Sequence, residues 1–422
     1  MRIPRYTILL LVSLIISPIF ISNVFANDHV IIDNDLTSEE IIDDEELLFP
    51  NNLIAMYYSW PNLIANGRVA YRSITHGFEI LNMSDPEVIK VINEFHIERD
   101  LYSSYLTLNS TLLYLSVSSY KNWSMGFYVY DISNHENTSI SQYFFNSSLS
   151  DYYCYGIYVK DSYLYYLVND PDADIGGVIV FDCSNATHPI EVGRYFHSDS
   201  YFRDLVITNN YAYLMNVNYY EDDMDEIQII NMANISALVK VGEITDESRL
   251  RSIECQNDRL FLVSQIDGLR IFDLTDPIHP QITSSYNEVD GYFQDICLTD
   301  STAYIVKSYG CSVLDLSDIN NLEKIGDFNY QKERGGFQYG LIEDDLLYLH
   351  RSSEDPDRML FILDVSNPKR PTKMYPSWIA PKWAFNELAA FLVIIIIPPT
   401  IIFSIIVFIV FLIVKRKRRR KL

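Results

Sequence analysis

Gly268-Leu269-Arg270-Ile271-Phe272-Asp273-Leu274-Thr275-Asp276-Pro277 is a strand that runs into a turn. Apolar residues alternate up to an Asp, and a hydroxyl residue and a second Asp follow it. The phrase recurs with drift in six other places. Those copies end at Asn82-Met83-Ser84-Asp85-Pro86, Asp131-Ile132-Ser133-Asn134, Asp182-Cys183-Ser184-Asn185, Asn231-Met232-Ala233-Asn234, Asp315-Leu316-Ser317-Asp318 and Asp364-Val365-Ser366-Asn367-Pro368. The marker positions are Asn82, Asp131, Asp182, Asn231, Asp273, Asp315 and Asp364, at intervals of 49, 51, 49, 42, 42 and 49 residues. A period of this length holding several short strands is the mark of a propeller blade. Seven markers therefore predict an all-β, seven-bladed β-propeller over residues 53–377.

Each unit divides the same way. An inner strand such as Asp204-Leu205-Val206-Ile207-Thr208 meets a polar turn, Asn209-Asn210, and a second strand, Tyr211-Ala212-Tyr213-Leu214-Met215. The marker phrase is the third strand. A stretch like Lys240-Val241-Gly242-Glu243 or Lys324-Ile325-Gly326-Asp327 is the fourth. The first and last units each hold four strands of their own, so no strand exchange is expected to close the ring.

The repeat resembles the LVIVD-repeat family. The resemblance rests on the Gly268–Pro277 phrase with Pro280 behind it, on Asp364–Pro368 with Pro371, and on Asn210-Tyr211-Ala212-Tyr213. Blades 2, 4 and 6 depart from it, with His135, Ile235 and Ile319 in place of the turn proline. The resemblance implies a propeller on a prokaryotic cell surface. It carries over no catalytic motif.

The flanks place the propeller outside a membrane. Arg2 and Arg5 precede an apolar run, Ile8–Ile21, and Val24-Phe25-Ala26 ends it, which is the plan of a secretory signal peptide over residues 1–26. Residues 27–52 are acidic and, lacking enough apolar surface to offset ordering, read as a disordered arm. A juxtamembrane linker at 378–387 carries Trp378 and Trp383. Residues 388–414 are then uncharged and long enough for a single transmembrane helix in contact with lipid. The basic tail, 415–422, stays cytoplasmic by the positive-inside rule, so the expected topology is single-pass type I.

Charge limits the partners. The net charge is −24; setting aside the seven basic residues at 415–421 and the two leader arginines leaves −33 between them. Such a surface repels nucleic acid. The expected partner is an extracellular glycan, peptide or protein, bound by an adhesion or recognition module. A surface hydrolase or lyase acting on polysaccharide is the alternative, and a structural envelope component is a third reading. No HExxH, GxSxG or phosphate-gripping glycine loop occurs, and the eight His are scattered singly.

Repetition separates scaffold from site. The marker Asp residues are expected to cap turns through backbone N–H groups, since a residue used alike around a ring does not single out one site. Positions that differ between blades are the binding candidates. Just before each inner strand stand Tyr58, Tyr102, Tyr153, Tyr201-Phe202, Arg249, Tyr292-Phe293 and Phe337. They read either as blade packing or as a stacking platform at the channel mouth. No organic cofactor is implied, and Ca²⁺ is the one ion the acidic loops could attract. Asp170, Asp172 and Asp174 alternate ahead of Gly176-Gly177 in the manner of a partial Ca²⁺ loop. Sequons at Asn109, Asn122, Asn137, Asn146, Asn185 and Asn234 are candidate glycan acceptors; the one at Asn82 falls on a marker position. The five Cys (154, 183, 255, 297 and 311) are an odd number with no metal-site spacing, and they read as small buried hydrophobes.

Overall fold

A computed structural model describes residues 63–374, apart from short stretches at 86–88, 120–124, 135–138, 147–151, 171, 218–223, 247–248, 290, 331–335 and 352–359. The leader, the acidic arm and the segment 388–414 lie outside the described residues. Among those described, no helix is long and apolar enough to cross a membrane.

Seven four-stranded sheets form, each antiparallel and each in simple sequence order. Blade 5 shows the plan. Leu250–Gln256 pairs with Arg259–Ser264, that strand with Gly268–Asp273, and that one with Gln281–Tyr286. The innermost strands of blades 1 to 7 are Leu63–Asn66, Leu101–Asn109, Tyr153–Lys160, Phe202–Thr208, Leu250–Gln256, Phe293–Leu298 and Phe337–Glu343. Each lies beside the innermost strands of both neighbouring blades, and the last lies beside the first. The ring therefore closes around a central channel.

Among the described residues closure uses no exchanged strand, as the sequence leads one to expect. Blade 7 completes itself with the two-residue strand Thr372–Lys373. The seam between blades 7 and 1 is held by packing. Tyr348, Leu360 and Ile362 meet Ala70, Leu81 and Met83 there, and the Gly67 N–H donates to Glu343 Oε1 at 2.7 Å.

Alternation in the strands explains the core. Both faces of a blade are covered by its neighbours, so the second and third strands are buried along nearly their whole length. Seven apolar clusters result, and each straddles one pair of adjacent blades. The ring is stabilised mainly by these interfaces, since apolar burial contributes roughly 25 cal/mol per Å².

The marker positions behave as turn caps in all seven blades. The side-chain oxygen accepts the backbone N–H two residues on, at 2.8–2.9 Å, from Asn82 to Ser84 through Asp364 to Ser366. A second cap follows three residues after the first. Asn185, Asn234, Asp276, Asp318 and Asn367 each accept the N–H two residues further along. This doubled turn packs its carbonyl onto the outermost strand of the preceding blade. A Cβ on Gly193 would lie 1.8 Å from the Ile235 carbonyl oxygen, and one on Gly326 would lie 2.1 Å from that of Pro368. The glycines in the fourth-strand phrase are there for close approach between blades.

All five cysteines are free thiols. Cys183, Cys297 and Cys311 are buried and Cys154 and Cys255 half-buried, so they serve as small apolar fillers. Burial pushes the Cys154 thiol up to about 11 and that of Cys183 to about 12.

Candidate functional site

The innermost strands carry a shared irregularity that gives the channel its chemistry. In six blades the pairing with the second strand slips near the start of the strand. In blades 4 to 7 the skipped residues are Arg203, Arg251, Gln294 and Gln338. A bulge re-aims the side chains around it. It puts Asp204, Ser252, Asp295 and Tyr339 at one equivalent position, opposite Met215, Val263, Val306 and His350.

Two of these carboxylates tie blades together. Asp204 accepts the Tyr158 hydroxyl of blade 3 at 2.9 Å and its own neighbour's Leu205 N–H at 2.8 Å, with the Ile253 N–H of blade 5 at 3.4 Å. Asp295 accepts the Ser252 hydroxyl of blade 5 at 2.6 Å, the Gly340 N–H of blade 7 at 2.8 Å and the Ile296 N–H at 2.9 Å. A hydrogen-bonded belt thus runs around the channel from blade 3 to blade 7. Its carboxyls are nonetheless reluctant to ionise. Burial is the main cause, and it raises Asp204 and takes Asp295 up to about 6, with the Asp204 charge a smaller contribution to the second.

Glu254 stands outside the belt. It lies one strand repeat below Ser252, where blades 4, 6 and 7 carry Val206, Cys297 and Leu341. It feels the charges of Asp204 and Asp295, from the two flanking blades. Glu254 as a residue is exposed, while protein atoms near its carboxyl cost the charge part of its hydration. Burial first, and then the two Asp charges, push its carboxyl up to about 8; the Cys255 N–H acts the other way. Tyr158 and Tyr339 lie near Asp204, and Tyr105 lies near both of them. Burial raises all three hydroxyls, and Arg203 hydrogen-bonds Tyr339.

The aromatic positions read from the sequence split into two groups. Phe202, Phe293 and Phe337 are 0–2% exposed and wedge between blades, so the stacking-platform expectation fails for them. The reason is the bulge, which turns the first strand residue into the blade interface and hands the channel to the residue two further on. Tyr201, Arg249 and Tyr292 remain at the rim. Their carbonyls occupy equivalent places, accepting the Val217, Gln265 and Ser308 N–H groups at 3.0, 2.8 and 3.1 Å. Tyr201 meets Tyr155 edge-on at 4.7 Å, Arg249 is exposed, and Tyr292 is half exposed with φ of +42°. Tyr102 stacks on His76 at 5.4 Å, and Tyr153 is half-buried. Tyr58 lies outside the described residues.

Among the described residues the acidic loop brings no set of metal ligands together. Asp170 Oδ1 accepts the Asp172 and Ala173 N–H groups, both at 3.1 Å, and so caps the turn. Asp172 and Asp174 are exposed, and Asp174 takes a left-handed φ of +52° to re-enter the next strand. Alternation along a hairpin tip spreads side chains apart instead of converging them. No three His, Cys, Asp or Glu among the described residues are placed to hold a metal ion.

Of the sequons, Asn185 and Asn234 are exposed but lie at the second cap, where their side-chain oxygens accept Thr187 and Ser236 hydroxyls at 2.8 Å. Asn109 is half-buried and donates its amide to the Asp161 carbonyl of blade 3. Asn146 ends the outermost strand of blade 2, Ser139–Asn146. Asn122 and Asn137 lie outside the described residues.

Sequence reasoning missed Asp204, Glu254, Asp295 and Tyr339. For Asp204, Asp295 and Tyr339 the available signal was the residue two beyond each strand-opening Phe, in Phe202-Arg203-Asp204, Phe293-Gln294-Asp295 and Phe337-Gln338-Tyr339; Glu254 follows no such rule.

No protein-family profile matches the chain, and no curated protein is similar to it in sequence. Solved structures do share its fold. A hypothetical selenium-binding protein from Sulfolobus tokodaii superposes with a TM-score of 0.53 at 12% identity, covering 77% of this chain and 92% of that one. The computationally designed Ika8 protein gives 0.52 at 7% identity, over 76% and 88%. Sqt1 of Saccharomyces cerevisiae gives 0.50 at 9% identity, over 74% and 82%. At these identities the likeness establishes the fold alone: the chain is a seven-bladed β-propeller.

Proposed function

We propose that this propeller is a binding module of the LVIVD-repeat type, held on the outside of a cell membrane, that recognises a surface glycan, peptide or protein at its channel rim. One observation carries the reading. The turn caps repeat in every blade, whereas the rim and channel residues change from blade to blade and put Tyr201, Arg249 and Tyr292 on display. Tyr and Arg are the side chains that recognition surfaces use most. The test is a binding screen of the purified full-length chain against envelope glycans and surface proteins. The triple variant Tyr201→Ala, Arg249→Ala, Tyr292→Ala serves as its control. Binding is expected to weaken by at least tenfold in the variant. Equal binding by both proteins rules out the rim.

The anchoring rests on the leader, the apolar run at 388–414 and the basic tail. Protease added to intact cells is expected to remove the propeller and spare the tail. A propeller that survives external protease, in cells whose permeabilised counterparts lose it, is inside.

A further inference from the structure

We propose that Asn185 and Asn234 carry N-linked glycans, placed on the face of the propeller opposite the recognition rim. The proposal rests on the reading that the propeller lies outside the membrane. Each residue heads an N-x-S/T sequon, Asn185-Ala186-Thr187 and Asn234-Ile235-Ser236. Both are exposed and occupy the second cap of their turns, in the adjacent blades 3 and 4. The two ends of each side-chain amide are used differently. Oδ1 accepts the backbone N–H two residues on, at 3.2 Å from Thr187 and 3.3 Å from Ser236, and the hydroxyl of the same residue at 2.8 Å. Nδ2 makes no hydrogen bond in either case among the described residues. Attachment of a sugar uses the nitrogen and leaves the carbonyl in place, so the cap survives it.

The turn itself asks only for the oxygen. Asp276 and Asp318 cap with a carboxylate at the same position in blades 5 and 6, with Ile278 and Asn320 two residues on. Asn367 of blade 7 is followed by Pro368 and Lys369. The fold therefore requires neither the amide nitrogen nor the hydroxyl, and blades 3 and 4 have both. Asn82 and Asn109 are half-buried, and Asn109 donates its Nδ2 to the Asp161 carbonyl, so a sugar on that nitrogen would lie against blade 3.

Strand direction sets the glycans far from the rim. In blade 3 the strand Ile175–Asp182 begins beside the rim-side loop, where the Ser200 N–H donates to the Asp174 carbonyl at 3.3 Å. It ends beside the opposite turn, where the Cys183 N–H donates to the Ser162 carbonyl at 2.7 Å. Its eight residues, at ~3.4 Å each, keep the two ends roughly 25 Å apart. Blade 4 has the same plan, with the Val217 N–H on the Tyr201 carbonyl at one end and the Met232 N–H on the Asn210 carbonyl at the other. Sugars on Asn185 and Asn234 thus leave Tyr201, Arg249 and Tyr292 uncovered. The donor is an oligosaccharide joined through its anomeric carbon to a lipid phosphate, presented by a membrane transferase. The bond from Nδ2 to that carbon forms, the bond from the carbon to the phosphate oxygen breaks, and the phosphate takes the electron pair and, overall, the amide proton.

Peptide mass spectrometry of the full-length chain, purified from the cells that make it, supplies the test. Peptides holding Asn185 and Asn234 are expected to carry an added oligosaccharide mass, and the peptide holding Asn109 none. Asn185→Asp together with Asn234→Asp should abolish both additions without lowering the melting temperature, because Asp276 and Asp318 already cap the same turn with a carboxylate. Ser236→Ala should remove the mass at Asn234 although the amide stays. Rim-dependent binding should be equal in the native and doubly substituted chains. Bare Asn185 and Asn234, an equal addition on Asn109, mass retained on Asn234 in Ser236→Ala, or weaker rim binding without the glycans would overturn the proposal. External protease separates the two readings when the sites are bare. If it digests the propeller, only the glycans are lost; if the propeller is protected, its placement outside the membrane goes with them.

Discussion

Phe293→Ala is expected to destabilise the propeller by about 3–5 kcal/mol, the range for truncating a fully buried aromatic side chain. Tyr292→Ala, one residue earlier, is expected to cost less than about 1 kcal/mol. The contrast follows from where the bulge puts each ring. Phe293 is 1% exposed and packs in the cluster between blades 5 and 6, parallel to Tyr286 at 6.5 Å. The ring packs directly on Gly268 and Gly291, where a Cβ would fall within 3 Å of it, and neither glycine has a side chain to refill the void. Tyr292 is half exposed and contributes its backbone carbonyl to the fold, which Ala supplies equally well. Denaturant unfolding of both variants decides the matter. Similar losses would place Tyr292 in the packing and remove it from the rim.

Acidification is expected to weaken the ring at the seam between blades 7 and 1 through His350. Its position is filled by Met215, Val263 and Val306 in blades 4 to 6, so the surroundings are apolar by repeat. Both ring nitrogens are buried without a hydrogen-bond partner. Burial, helped by the Arg72 charge across the seam, lowers the imidazole from its ordinary 6.5 to about 4. The sign follows directly. Between pH 6.5 and 4 the unfolded chain binds a proton that the folded chain refuses, so stability falls as pH falls through that window. The loss is on the order of 3 kcal/mol at full protonation.

Glu254 and Asp295 act in the opposite sense. Their raised carboxyls favour the folded state at low pH, and that contribution is lost as pH rises toward about 8 and 6. The imidazole contribution must therefore be read as a difference. His350→Phe, measured by thermal unfolding at pH 7 and pH 4.5, should gain on the native chain by several degrees at the lower pH. An identical difference at the two pH values would show that His350 does not titrate in the folded ring.

The amino-acid sequence by itself determined the blade count, the strand order within each blade and the part played by the marker residues. These are local properties. Two-residue alternation, a cap that bonds the N–H two positions on, and a period of 42 to 51 residues all act within one blade and repeat seven times. Self-completion of the first and last blades was legible for the same reason. The tertiary structure alone decided which side chains share the channel. Asp204, Glu254 and Asp295 sit 50 and 41 residues apart along the chain and belong to three blades, and only the assembled ring brings their charges within reach of one another. The bulges decided the rest. A one-residue slip in a strand exchanges inward for outward, so Phe202, Phe293 and Phe337 went into the blade interfaces and their second neighbours into the channel. Sequence alternation marks two faces of a strand, but which of them meets the channel depends on pairing with a neighbour.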